Sequence, residues 1–188
     1  MNYCSACGGS VRLRVPQGDN RERFVCDACE MVHYVNPKIV TGTLPIANGA
    51  VLLCRRAIEP RRGRWTLPAG FLEMGETTAA GAMRETLEEA NAEVEIDGLY
   101  TVFNLPHISQ IYFFFRARLL GGFAAGEETL ETRLFEQGQV PWDELAFPVV
   151  TQTLRHYFED RTKGHFPVRM EDIVVSRPTR GQARTQPS

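Results

Sequence analysis

The chain reads as an α/β protein with a small metal-binding module at its N-terminus. Three observations predict this class. Strand-like runs interleave with helical periodicity, a group of glutamates stands at helical spacing, and two C-x-x-C pairs precede both. The 188 residues suffice for one ordinary domain and a small appendage, and 43% hydrophobic content is that of a globular chain.

The first element is the module. Cys4-Ser-Ala-Cys7 and Cys26-Asp-Ala-Cys29 are separated by eighteen residues, a spacing that suits a four-cysteine tetrahedral zinc ribbon over residues 1–36. Val11 to Val15 and Arg23 to Val25 predict a hairpin carrying the two knuckles, with Pro16 to Asn20 as its turn. Two disulfides are the alternative pairing; no secretory pattern precedes the cysteines, and a reducing cytosol leaves thiols free for metal. A module this short holds little core, so structural zinc is expected to supply its folding energy. Arg12, Arg14, Arg21 and Arg23 raise the possibility of nucleic-acid docking, but a net charge of −2 and a pI near 6.1 offer no footprint for a phosphate backbone.

After Asn36-Pro37 the runs Ile39 to Ile46, Ala50 to Arg55, Leu99 to Asn104 and Gln110 to Leu119 read as strands, with Cys54 a buried small hydrophobe in one of them. Gly63 to Gly70 predicts a short strand ending in a proline-glycine turn, with Trp65 in the core. Two helices fit between and after these strands. The first covers Ala79 to Ala90; the second runs from about Val150 to Asp160 with Leu154, Tyr157 and Phe158 inward. The main domain is thus expected over 37–165 and a mobile, extended tail over 166–188. The longest apolar run, Ile111 to Phe115, is too short to span a bilayer, so no membrane partner is expected and the cytoplasm is the simplest compartment.

The first helix carries the chemistry. At about 100° per residue, Glu85, Glu88 and Glu89 share one face, while Ala79, Ala82, Met83, Thr86, Leu87 and Ala90 share the other and are expected to pack. Like charges three and four residues apart repel, so a cation is expected among them, and hard oxygen ligands suit Mg2+ or Mn2+. Arg84, four residues before Glu88, is placed to orient a carboxylate. A solvated surface helix is the ordinary reading of a lone E-x-x-E-E, but the pattern here extends upstream to Gly70 and Glu76.

Read as G-x5-E-x7-R-E-x-x-E-E from Gly70 to Glu89, the segment resembles the signature of the Nudix hydrolases, which cleave nucleoside diphosphates linked to another moiety with divalent metal. The order of strands and helices then resembles the Nudix α/β/α sandwich with its mixed sheet. The resemblance implies the Gly70 carbonyl as a metal ligand beside Glu85, Glu88 and Glu89. It also implies a supporting role for Glu76 toward Arg84, and a metal-binding or general-base glutamate from a later loop. In the acidic stretch Glu127, Glu128 and Glu131, Glu128 is the residue matched to that role. The pattern departs at its end, where Asn91 and Ala92 replace a glycine and a bulky aliphatic, and at Thr86, where a larger aliphatic is usual. Asparagine tolerates the left-handed conformation that closes a helix.

Asn36-Pro-Lys-Ile-Val, the stretch Gly63 to Phe71 and Trp142-Asp-Glu-Leu-Ala-Phe are similar to a subgroup related to plastid FAD pyrophosphatases and bacterial ADP-ribose pyrophosphatases. The proline-rich motif of NADH pyrophosphatases does not follow Ala92. The activity implied is hydrolysis of a dinucleotide such as FAD or ADP-ribose to two monophosphates. NADH or a nucleotide sugar as substrate, or a non-catalytic nucleotide-binding regulator, are the alternatives. Phe103, His107, Gln110 and Arg55 are the candidate substrate contacts, and relatives imply a homodimer.

Overall fold

Residues 1–174 are described by a computed structural model, in which Met1–Pro37 and the chain from Lys38 onward are separate compact units. In the first unit, strands β1 (Val11–Arg14), β2 (Arg23–Cys26) and β3 (Val32–His33) form an antiparallel sheet in that order. The turn between β1 and β2 is fixed by Asp19, whose N–H donates to the Pro16 carbonyl at 3.1 Å and whose carboxylate accepts from the Asn20 N–H at 2.7 Å and Arg23 Nε at 2.9 Å. Val25 with Cys4 and Cys26 is nearly all that this unit buries, too little apolar surface to hold it folded unaided.

The second unit is built on strands β4 (Lys38–Ala47), β5 (Ala50–Arg56), β6 (Trp65–Thr66), β7 (Ala69–Phe71), β8 (Val94–Leu105), β9 (Gln110–Leu119), β10 (Thr129–Phe135) and β11 (Arg169–Asp172). The sheet runs β10-β5-β4-β9-β8-β11, with β6 paired to β5 and β7 to β4. It is mixed: β4 lies parallel to β9 and β11 parallel to β8, while the other pairs are antiparallel. Helices α1 (Thr78–Ala90) and α2 (Pro148–Lys163) cover it in layers. Alternation along β5 shows the layering: Val51 and Leu53 join the core of Val149, Val150 and Leu154 from α2, whereas Leu52 and Cys54 join Ala90 and Ala92 at the end of α1. Trp65, Leu154, Tyr157 and Phe158 are all in the core, as their sequence positions predicted.

Helix α1 starts at Thr77, whose side chain accepts the Ala80 N–H at 3.1 Å, and ends at Asn91 with φ 42° and ψ 39°. Its packing side differs from the expectation. Met83 and Leu87 are exposed, and the buried positions are Gly81, Ala82, Glu85, Thr86 and Ala90. Small residues face the sheet because the helix approaches β4 closely. The Thr86 and Thr43 hydroxyls are 2.6 Å apart, and a Cβ at Gly81 would meet Thr41 Cγ2 at 2.9 Å.

The stretch after Phe166 also differs from the tail expected there. Through Asp172 it is an ordered edge strand, with Arg169 paired to the buried Asp160 at 2.6 Å, Asp160 accepting from Tyr100 Oη at 2.7 Å, and Asp172 accepting from Asn104 at 2.8 Å. Positions 175–188 of that expected tail lie outside the described residues. Among the described residues no helix is long and apolar enough to cross a membrane.

Candidate active site

The strand–turn–helix from β7 to α1 gathers the acidic cluster. Its hub is Arg84, whose guanidinium donates to Glu76 at 2.8 and 3.1 Å, to Glu85 at 2.8 Å, to Glu88 at 3.0 Å and to the Phe71 carbonyl at 3.2 Å. Glu76 also accepts the Glu73 N–H at 2.6 Å, which closes the turn before the helix. The paired guanidinium holds the Glu76 carboxyl below its ordinary range. Glu85 is drawn the other way, raised by burial against the opposing pull of Arg84.

Glu89 is half-buried further down the same face, where its Oε2 accepts the Ala69 N–H at 3.3 Å, and loss of solvation there pushes its carboxyl up to about 8. A Cβ on Gly70 would overlap the Glu85 carboxylate, so only glycine lets the β7 main chain lie against that group. Carboxylates on one helix face beside a glycine main chain offer the hard oxygen donors that Mg2+ or Mn2+ takes. Of the described residues, though, the group whose donor atoms already lie within 4.8 Å of one another is the four cysteines; Glu85 and Glu88 are each turned to Arg84.

Glu128 reaches the site from the turn before β10, which is bound to the end of α1. Gly126-Glu-Glu-Thr129 is a turn closed by the Thr129 N–H on the Gly126 carbonyl at 3.1 Å, and the Glu128 carbonyl accepts the Ala57 N–H at 2.8 Å. Both Glu127 and Glu128 line a cleft of about 970 Å³ whose lining also includes Gly70, Arg84, Glu85, Glu88, Glu89 and an apolar wall. That wall includes Leu105, Tyr112, Phe114, Phe147 and Val149.

The expected substrate contacts divide. His107 and Gln110 line the cleft, and Gln110 accepts the Tyr112 hydroxyl at 3.0 Å. Phe103 does not line it: it shares a sheet face with Leu105 and with Tyr112 opposite it on β9, which do, but it is fully buried in the α2-side core. Arg55 is also off the cleft; its Nε donates to the Gly63 carbonyl at 2.9 Å and its Nη1 lies 3.7 Å from Glu131 on β10. The cleft takes Arg56 instead, whose guanidinium lies 5.2 Å from the Phe147 ring centre. Strand parity was the available signal, since Arg56 continues the Leu52–Cys54 row that faces α1. Tyr112 and Phe147 carried none beyond being aromatic.

In the first unit the Sγ atoms of Cys7 lie 3.5 Å from Cys26 and 3.4 Å from Cys29, and Cys4 lies 3.8 Å from Cys29. A tetrahedral zinc with Zn–S bonds of about 2.3 Å requires sulfurs about 3.8 Å apart. The cysteines are unpaired as disulfides, and Cys26 is lowered to about 6 by N–H groups of Cys29 and Ala28. The residues fit zinc.

A family model described as Nudix N-terminal, of the zinc-ribbon type, matches residues 2–35, and one described as NUDIX domain matches residues 37–160. The chain is similar to a protein of Methanocaldococcus jannaschii named ADP-ribose pyrophosphatase, 29% identical over 121 residues that cover 61% of this chain and 69% of that one. It is also similar to a Vibrio atlanticus protein named NAD-capped RNA hydrolase NudC, 31% identical over 50% of this chain but only 33% of that protein. Apart from the M. jannaschii protein, the curated relatives are spanned over about half of their length or less. Among solved structures, a Nudix hydrolase from Nitrosomonas europaea superposes with a TM-score of 0.87 at 51% identity, covering 92% of this chain and all of that one. A Streptococcus suis ADP-ribose pyrophosphatase shares the fold, with TM-score 0.57 and 24% identity over 72% of this chain and 99% of that one.

Proposed function

The chain belongs to the Nudix hydrolase family, and from that premise we propose that it hydrolyses the pyrophosphate bond of a nucleoside diphosphate derivative, ADP-ribose or FAD, to two monophosphates. The observation that carries the reading is the cleft itself. Its lining combines Glu85, Glu88, Glu89 and Gly70 with apolar side chains that include Tyr112 and Phe147, on which a base can stack.

Bound Mg2+ or Mn2+ would be held by Glu85, Glu88, Glu89 and the Gly70 carbonyl, and supplies charge neutralisation for the diphosphate and acidification of water. Arg84 fixes the rotamers of Glu85 and Glu88, and Glu76 in turn fixes Arg84. Glu128, on the turn before β10 that lines the same cleft, accepts the proton of the attacking water. Arg56 is a cation of the cleft lining with no carboxylate partner among the described residues, and it meets the substrate phosphates. His107 and Gln110 border the wall and contact the group beyond the diphosphate. Zinc held by Cys4, Cys7, Cys26 and Cys29 is structural.

The test is a panel of ADP-ribose, FAD, NADH and a nucleotide sugar at equal concentration with Mg2+ or Mn2+, read by chromatography of the nucleotide products. AMP from ADP-ribose, or AMP with FMN from FAD, is the expected leading reaction. Leading turnover of NADH or a nucleotide sugar refutes the substrate assignment, and no turnover of any of them leaves nucleotide binding without hydrolysis.

A further inference from the structure

Asn91, the position where the helix motif departs from its usual glycine, makes contacts that a glycine cannot. Its backbone closes α1 in the left-handed conformation, with the N–H donated to the Leu87 carbonyl at 2.8 Å. Its side-chain Nδ2 donates to the carbonyls of Ala125 at 3.0 Å and Ala124 at 3.4 Å, more than thirty residues further along the chain. Both partners are carbonyls, so the amide must present its NH2 to them.

The same segment is bound to the helix end by its own backbone. The Ala124 N–H donates to the Ala90 carbonyl at 2.8 Å and the Gly126 N–H to the Glu89 carbonyl at 3.0 Å, satisfying two of the free carbonyls of α1. The approach is so close that a Cβ on Gly126 would overlap the Glu88 carbonyl. Gly126 is also the first residue of the turn that carries Glu127 and Glu128 into the cleft.

We infer that Asn91 is a positioning residue for the Glu127–Glu128 turn. Beside those two backbone bonds, the side chain ties the end of the helix bearing Glu85, Glu88 and Glu89 to the loop bearing Glu128, and so helps to fix the distance between the two acidic groups. The inference rests on the reading of Glu128 as the proton acceptor. Glycine at this position would keep the helix cap and lose the tether, whereas asparagine supplies both.

The variants are Asn91→Gly, which favours the left-handed cap and removes the amide, and Asn91→Asp, which keeps the shape and removes the donor. The readouts are thermal midpoint, kcat and KM separately, and hydrogen exchange at the Ala124 and Gly126 amides, each also in a Glu128→Gln background. Loss of a tether of one or two hydrogen bonds corresponds to about a fivefold effect. Both variants are expected to lower kcat by about that factor with KM nearly unchanged and to speed exchange at the two amides by a similar factor, Asn91→Gly without loss of thermal midpoint, and neither is expected to lower kcat further once Glu128 is glutamine. Turnover and exchange at the wild-type level in both variants, with Glu128→Gln impaired, overturns the inference. Full turnover in Glu128→Gln instead overturns the reading of Glu128 and the catalytic part of the inference with it, while the exchange rates still decide the tether.

Discussion

Replacing Arg84 with glutamine removes the group that holds three carboxylates in one place, and the size of the effect can be worked from the geometry. Glu76 loses two charge-assisted bonds with its side chain only 17% exposed, worth about 1–2 kcal/mol. Glu85, 12% exposed, loses its bond at 2.8 Å and is left as a carboxylate short of a partner, about another 1 kcal/mol. Glu88 is 58% exposed, and its pair adds at most about 0.5 kcal/mol after screening. The expected loss is therefore about 3 kcal/mol, or about 6–12 °C in thermal midpoint for a chain of this size. Millimolar Mg2+ should restore part of it, because a cation among the freed carboxylates replaces the missing positive charge. Urea denaturation of Arg84→Gln and wild type, with and without the ion, measures both. A loss under about 0.5 kcal/mol, or no protection by the ion, refutes the hub role of Arg84.

Other consequences follow from the same contacts. Gly70→Ala should remain folded yet lose about 10- to 100-fold in turnover, because its methyl displaces the Glu85 carboxylate; steady-state kinetics checks it. Burial pushes the Asp160 carboxyl up, but the hydrogen bonds from Arg169 and Tyr100 outweigh this and hold it below its ordinary 3.8. A group lowered in this way contributes stability that is present above that ordinary value and lost as pH falls through the folded one. Asp160→Asn should accordingly cost about 3 kcal/mol at neutral pH and flatten the decline of stability below about pH 4, as read by urea midpoints across pH. A strong chelator should unfold residues 1–37 while the sheet of the second unit persists, with one zinc released per chain by mass spectrometry; near-complete retention of the β1–β3 amide signals would contradict a structural metal.

Much of this was legible in the sequence because local rules and tertiary structure agree there. The strands around Leu44, Leu52 and Phe114 are buried as their continuous apolar runs predict, and the helix bearing Glu85 begins and ends at residues suited to its caps. The errors arise where a neighbour decides. Met83 and Leu87 looked like a packing side, but close approach of α1 to β4 reserves that side for Gly81, Ala82 and Thr86. Arg55 and Arg56 are indistinguishable in composition, and the register of β5 against β10 pairs the first with Glu131 and leaves the second to the cleft. Phe103 looked available for stacking until α2 covered its side of β8. Strand β11 has two charges turned inward, and only the distant Asp160 and His156 make Arg169 and Glu171 compatible with a sheet edge. Asn91 gave no hint of its reach, since its partners lie on a loop more than thirty residues away.

The glutamates of α1 and of the Glu127–Glu128 turn are proposed to hydrolyse a pyrophosphate bond. The most direct measurement is the release of AMP from ADP-ribose or FAD by wild type and by Glu89→Gln, at saturating Mg2+ or Mn2+ and with folding of both verified by circular dichroism. AMP release by wild type should require the ion, and the rate should be at least about a hundredfold lower in the variant. Equal rates in the two proteins, or full activity after removal of divalent ions, would contradict the proposal.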